Sequence, residues 1–228
     1  MKVVILAGGF GTRLSEYTKT IPKPMVKVNK RPLIYYVMKT YANHGFKDFI
    51  IASGYKGYII KKYFKKNSFG WNINLVDTGK DTMTGGRLKR LSKYLKNDTF
   101  LMTYGDGVSN INVKRLIEFH KKNNKEVTLT VVRPPARFGV VKFKNNLVTY
   151  FKEKSKVDEG WINGGFFVVN PSFLKKIKND RTFLEKEPLE KVCKNKNLVA
   201  YKHKGFWQCV DTKRDLEKLK KNIKKIKI

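Results

Sequence analysis

Short apolar runs that alternate with helical stretches constrain this chain more than any other feature. Val3, Val4 and Ile5 make the β-branched run of a strand buried on both faces. Residues 31–44 read as a helix, with Pro32 in its first turn and Gly45 placed to end it. Residues 48–53 carry a second buried strand around Phe49-Ile-Ile51, residues 57–66 are again helical, and residues 72–77 form a third strand. Leu88, Leu91 and Leu95 stand at helical spacing within 86–95. Residues 99–104 then form a fourth strand that delivers Gly105-Asp106-Gly107 at its carboxyl end. This alternation predicts an α/β fold with a doubly wound, mostly parallel mixed sheet flanked by helices. Ligands of such sheets bind beyond the carboxyl ends of the strands, where both Asp106 and the loop after Ile5 fall.

The second half is richer in strands. Residues 127–132, 139–143 and 147–151 are closely spaced strands, the last two joined by an Asn145-Asn146 turn, and 166–169 is another. Residues 171–177 and 185–193 read as helices. Residues 212–228 read as a Lys-rich terminal helix with Leu216, Leu219, Ile223 and Ile226 along one stripe. With no Pro/Gly/Ser linker and no internal repeat, the 228 residues are expected to form one domain, with halves at about 1–125 and about 126–228.

No apolar run approaches the roughly 18 residues of a membrane span, so no membrane partner is expected. The amino terminus runs directly into a strand, so no signal peptide is expected either. Cys193 and Cys209 have no metal-ligand spacing and no disulfide framework, which suits a reducing cytoplasm. The formal charge of +32 raises a basic nucleic-acid binder as a rival class of function. The positive residues are mostly lysines spread over nearly every block of ten, which reads as solvated helix faces. No nucleic-acid partner is therefore expected, and a charge of this sign can help attract anionic substrates.

Leu6-Ala-Gly-Gly-Phe-Gly-Thr-Arg13 is the stretch with chemistry in it. Gly8, Gly9 and Gly11 let the backbone turn sharply and approach a ligand, so that several N–H groups can point at a phosphate while Arg13 adds a forked positive charge. An ordinary glycine-rich turn is the other reading of the glycines. No Gly-Lys-Ser/Thr follows, and Leu14 stands where the dinucleotide fingerprint needs its third glycine, so two common phosphate loops are excluded.

Gly8-Gly-Phe-Gly-Thr-Arg-Leu14 followed by Pro22-Lys-Pro-Met25 resembles the signature of the sugar-1-phosphate nucleotidyltransferases. The resemblance runs over nearly the whole chain and is closest to the cytidylyltransferase branch. It is carried further by Val76-Asp-Thr-Gly79, Met83-Thr-Gly-Gly-Arg-Leu-Lys-Arg90, Thr103-Tyr-Gly-Asp-Gly107, Ile162-Asn-Gly-Gly-Phe-Phe167 and Gly205-Phe-Trp-Gln208. It implies a Rossmann-like nucleotide-diphospho-sugar transferase fold with a nucleotide-binding first half and a sugar-phosphate-binding second half. The implied reaction joins CTP and a sugar 1-phosphate, with glucose 1-phosphate the expected acceptor, and uses Mg²⁺. A homo-oligomer is expected.

Carried onto these positions, the resemblance gives Arg13, Lys23 and Asp106 catalytic roles. It places Leu6, Ala7, Gly8, Gly9, Gly11, Thr12, Thr82, Thr84, Gly85 and Arg87 around the nucleotide, together with Arg13 and Lys23. Gly139, Glu153, Lys154 and Asn163 are placed around the sugar phosphate, and Asp106 and Asp211 on the metal. Each has a plainer reading. Asp106 is also a turn aspartate in Gly-Asp-Gly, and Asp211 an N-cap of the last helix with Asp215 as partner. Lys23 is one lysine among many, although prolines on both sides argue against a helical backbone there. Arg87 reads equally as an exposed helix residue, and Asn163 as a turn residue before a strand. The chain also departs from the family: the 67–70 connection is short, Ser155 follows Glu153-Lys154 where proline is usual, and Cys209 stands where proline is common.

Overall fold

A computed structural model of the protein describes residues 1–134, 140–152 and 160–226. Among these, the central sheet has seven strands. They are β1 (Val3–Leu6), β2 (Asp48–Ser53), β3 (Asn72–Asp77), β4 (Phe100–Tyr104), β5 (Val127–Val132), β6 (Ile162–Val169) and β7 (Leu198–His203). Their order across the sheet is β7-β5-β6-β4-β1-β2-β3. β1 is central, parallel to β2 and β4 with Leu6 opposite Ala52 and Tyr104. β6 runs antiparallel to both its neighbours, which makes the sheet mixed.

Both faces of the centre are covered, as the unbroken apolar run of β1 requires. Val3 and Ile5 face a core completed by α1 (Leu33–Ala42), with Leu33, Val37, Met38 and Tyr41 fully buried. Val4 and Leu6 face a second core with Leu88 and Leu91, on and just after α3 (Thr84–Arg90), and with Phe173 and Val192 from the second half. α2 (Gly57–Lys66) lies between β2 and β3 in sequence, and α4 (Val113–Asn123) between β4 and β5.

Several boundaries differ from expectation for local reasons. α1 starts two residues late because Pro32 is its N-cap and pairs with Lys27 in a small ribbon. α3 starts at Thr84 and gives way at Leu91, where ψ reaches 0°. The segment expected as a helix at 171–177 is the 3-10 stretch Pro171–Lys176, and the following helix, α5, spans Glu187–Lys194. The terminal helix α6 spans only Lys213–Asn222. Beyond it Lys220/Lys224 and Lys221/Lys225 would set like charges four residues apart, which disfavours a further turn. α4 and β7 had no counterpart in the sequence reading, although Asn112 caps α4 by accepting from the Arg115 N–H at 3.0 Å. The expected strand at 139–143 begins among residues outside the described set. Its described part, Val140–Lys144, pairs with Leu147–Lys152 through a turn in which Asn145 has φ 52°.

The start of α6 settles which residue caps it. Thr212 is the N-cap, its hydroxyl accepting from the Asp215 N–H at 3.2 Å while the Asp215 carboxylate accepts from the Thr212 N–H at 3.0 Å. That capping box leaves the Asp211 carboxylate free of the helix. Thr212→Ala is accordingly expected to cost about 1 kcal/mol of stability, read as a lower melting temperature. An unchanged melt would show that the box contributes nothing.

Candidate active site

The glycine loop begins where β1 ends. Gly11 takes φ 66° as the cap of the 3-10 turn Thr12–Leu14, a left-handed conformation that a side chain disfavours. Gly8 is needed for a different reason: a Cβ there would collide with the guanidinium of Arg87. The loop lines a cleft of about 400 Å³ that includes Leu6, Ala7, Gly9, Thr12 and Arg13. Thr82, Thr84 and Arg87 line its other side.

Arg87 is neither an exposed helix residue nor a free cation. It is 3% exposed. Its guanidinium donates to Ser53 O, Thr78 Oγ1 and Gly79 O at 3.1, 2.8 and 2.7 Å, and to Gly8 O and Lys80 O at 2.9 and 3.2 Å. It therefore ties the glycine loop to the end of β2 and to the 78–80 turn. Burial holds its pKa below the ordinary arginine value, partly offset by the Asp77 charge. Gly85, expected beside the nucleotide, instead lies behind the cleft, where its N–H donates to Thr182 O at 3.0 Å and a Cβ would press on that oxygen.

At the carboxyl end of β4, Asp106 meets Lys23 and Asp211. Lys23 Nζ lies 2.7 Å from Asp106 Oδ2 and 2.6 Å from Asp211 Oδ1, with the lysine side chain only 10% exposed. Proline on both sides does not keep Lys23 out of a helical backbone, because it opens the 3-10 turn Lys23–Met25. Pro24 falls in the first turn, where a missing N–H removes no hydrogen bond. Burial acts to lower the Lys23 pKa, but the Asp106 charge and the hydrogen bonds to both carboxylates outweigh it and raise the pKa overall. Arg13 reaches the same pair from solvent, its Nη1 2.8 Å from Asp211 Oδ2 with the side chain 73% exposed.

A short ribbon brings Asp211 to this place from the far end of the chain. Trp207–Cys209 pairs antiparallel with Gly107–Ser109, and the Val210 N–H donates to Asp106 O at 3.1 Å. Asp106, Asp211 and Asn163 line a second cavity of about 210 Å³, walled by Trp207, whose indole N–H donates to Gly164 O at 2.7 Å. Tyr104 and Asp106 line both cavities. Gly139, Glu153 and Lys154 lie outside the described residues. The three histidines bond to Ile111 O, to Thr128 and Asn170, and to Ser109 and Phe206 O, away from both cavities.

The sequence reading assigned no role to three residues, Tyr104, Glu185 and Cys209. The Tyr104 hydroxyl and the Thr84 hydroxyl both donate to Glu185, each at 2.7 Å, which ties β4 to α3 across the cleft. The Tyr104 pKa is raised by burial and then by the Glu185 charge. The third is Cys209, whose thiol is pushed up by burial and by the Asp106 carboxylate. No local pattern marks any of the three, since each matters only through partners far along the chain.

The two carboxylates converge on one point with oxygen donors of the kind hard divalent cations take. Asp106, Cys209 and Asp211 each put one ligand atom within 4.8 Å of the others. Residues 2–226 match the model of the family described as nucleotidyl transferase. The chain belongs to that family. Among relatives of this nucleotidyl transferase, a glucose-1-phosphate cytidylyltransferase of Salmonella typhimurium is 49% identical, covering 94% of this chain and 93% of that one. A probable glucose-1-phosphate cytidylyltransferase of Bacillus subtilis is 38% identical over 97% of this chain and 95% of that one. In fold, it is similar to a putative glucose-1-phosphate thymidylyltransferase from Bacillus anthracis solved in complex with a sucrose, with a TM-score of 0.80 over 100% of this chain and 97% of that one at 20% identity. The expected mixed sheet of the nucleotide-diphospho-sugar transferase type is thus the observed one.

Proposed function

We propose that this nucleotidyl transferase moves a cytidylyl group from CTP to glucose 1-phosphate. A phosphate oxygen of the sugar phosphate attacks the α-phosphorus of CTP, the bond from that phosphorus to the bridging oxygen breaks, and pyrophosphate leaves. The single observation that carries this reading is the sharing of Asp106 by the two cavities. A nucleotide in the larger cleft and a sugar phosphate in the smaller one meet at the Lys23–Asp106–Asp211 group. The nearness in sequence of two cytidylyltransferases supports cytosine as the base and glucose 1-phosphate as the acceptor.

The acceptor is already an anion, so the reaction needs charge neutralisation and alignment more than a base. Backbone N–H groups of the Gly8–Gly11 loop and the Arg13 guanidinium are suited to the triphosphate. Lys23, held between two carboxylates, lines the cleft beside Asp106, where it would meet charge on the transferred group. Asp106 and Asp211 would hold Mg²⁺, which when bound offsets phosphate charge at the reacting centre. Asn163, with Gly139, Glu153 and Lys154 on the sequence reading, takes the sugar phosphate. The larger cleft is closed behind by Arg87, which positions the loop and does not itself need to touch the ligand.

The test is kcat/KM for CTP, UTP, dTTP, ATP and GTP with glucose 1-phosphate saturating and Mg²⁺ present. CTP should lead UTP by at least about tenfold, since a buried acceptor that pairs with the cytosine amino group is left unpaired by uracil at a cost of about 1–3 kcal/mol. Equal use of CTP and UTP, or a preference for dTTP, sinks the cytidylyl assignment and leaves the family untouched. Tight RNA binding at physiological salt with no turnover on any nucleotide would favour the basic-protein reading instead.

A further inference from the structure

Cys209 stands at the carboxylate site without a part in phosphoryl transfer. The ribbon fixes it there: Cys209 is paired with Gly107, the neighbour of Asp106, and Asp211 follows two residues later. Its Sγ and one oxygen from each aspartate lie within 4.8 Å of one another. The thiol is half-buried and lines the smaller cavity between Trp207 and Asp211. A cation already sits between these two carboxylates, the Lys23 ammonium at 2.7 and 2.6 Å.

Two oxygens and a sulfur make a different donor set from two oxygens. Mg²⁺ gains nothing from a thiol, whereas Zn²⁺ and Cd²⁺ gain most from a thiolate. Donors bound tetrahedrally to Zn²⁺ stand roughly 3.5 Å apart, so side-chain rotations that close the present spacing by about 1 Å would bring all three onto one ion. The thiol proton passes to solvent as the sulfur–metal bond forms, which the metal itself drives. Lys23 leaves the point between the carboxylates in the same step.

We propose that Cys209, Asp106 and Asp211 form a site for a thiophilic divalent cation, Zn²⁺ or Cd²⁺, that competes with Mg²⁺ for the carboxylate pair. The inference rests on the reading of the two aspartates as metal ligands and not on the identity of the nucleotide.

Cd²⁺ is the probe, added to the purified full chain in metal-free buffer. One equivalent should produce an ultraviolet sulfur-to-cadmium charge-transfer band, and excess Mg²⁺ should weaken Cd²⁺ binding. Cys193→Ser should keep the band. Cys209→Ser should lose it and bind Cd²⁺ at least about tenfold more weakly by calorimetry, and Asp211→Asn should weaken binding as well. The unmodified chain provides a check that needs no variant: Cd²⁺ should shield Cys209, but not Cys193, from alkylation by iodoacetamide, read by peptide mass spectrometry. A band that follows Cys193, equal alkylation of Cys209 with and without Cd²⁺, no competition by Mg²⁺, or unchanged affinity in Asp211→Asn overturns the proposal. Pyrophosphate release from CTP with Mg²⁺ reads the proposed reaction separately, so either can fail while the other stands.

Discussion

Asp106→Asn is expected to lower kcat by at least about a hundredfold while the KM for CTP changes far less. Asparagine keeps the shape of the side chain but removes the charge from a residue that lines both cavities and holds Lys23 at 2.7 Å. With it goes half of the carboxylate pair suited to a divalent cation, and Lys23 keeps Asp211 as its one charged partner. Most of this loss falls in the transition state, where charge on the transferred group is greatest, because the triphosphate is held in the ground state by the loop as well. The measurement is steady-state pyrophosphate release with both substrates and Mg²⁺ saturating. A variant with near-normal kcat would reduce Asp106 to an ordinary turn aspartate.

The second large effect is expected at a residue that does no chemistry. Arg87→Ala leaves Gly8 O, Ser53 O, Thr78 Oγ1, Gly79 O and Lys80 O without their buried donor. A buried polar group left unpaired costs about 1–3 kcal/mol; Gly8 O and Ser53 O keep the Tyr55 and Thr78 N–H donors, so the cost falls mainly on the other three and the total is expected near 3–5 kcal/mol. For a chain of this size that is a fall in Tm of roughly 6–20 °C. The Gly8 carbonyl would keep only the Tyr55 N–H, at 3.1 Å, so KM for the nucleotide should rise even at temperatures where the protein stays folded. Arg87→Lys should recover little, since one ammonium cannot reach both sides of the fork. A normal melt and normal KM in Arg87→Ala would show that the loop holds its shape unaided.

What the sequence determined by itself was the part written in neighbouring residues. The β-branched run of Val3 to Ile5, the glycines after it and the Gly-Asp-Gly turn after the strand ending at Tyr104 act through local backbone geometry, so a doubly wound sheet and the end of it where the two cavities lie could be read directly. The ordered motifs, read as a family resemblance, carried the expected chemistry onto named positions in the same way.

The tertiary structure decided everything that depends on partners distant in the chain. The capping box of Thr212 and Asp215 removes the cap reading of Asp211, and a ribbon with Gly107–Ser109 lays its carboxylate against Lys23. Arg87 looked like a surface or ligand-facing cation, yet packing turned it inward to bind five acceptors. β6 was readable as a strand but not as an antiparallel one, because direction is set by where the chain re-enters the sheet and not by side-chain period. Cys209, without meaning in its own segment, acquired one only when folding set its sulfur beside two carboxylates.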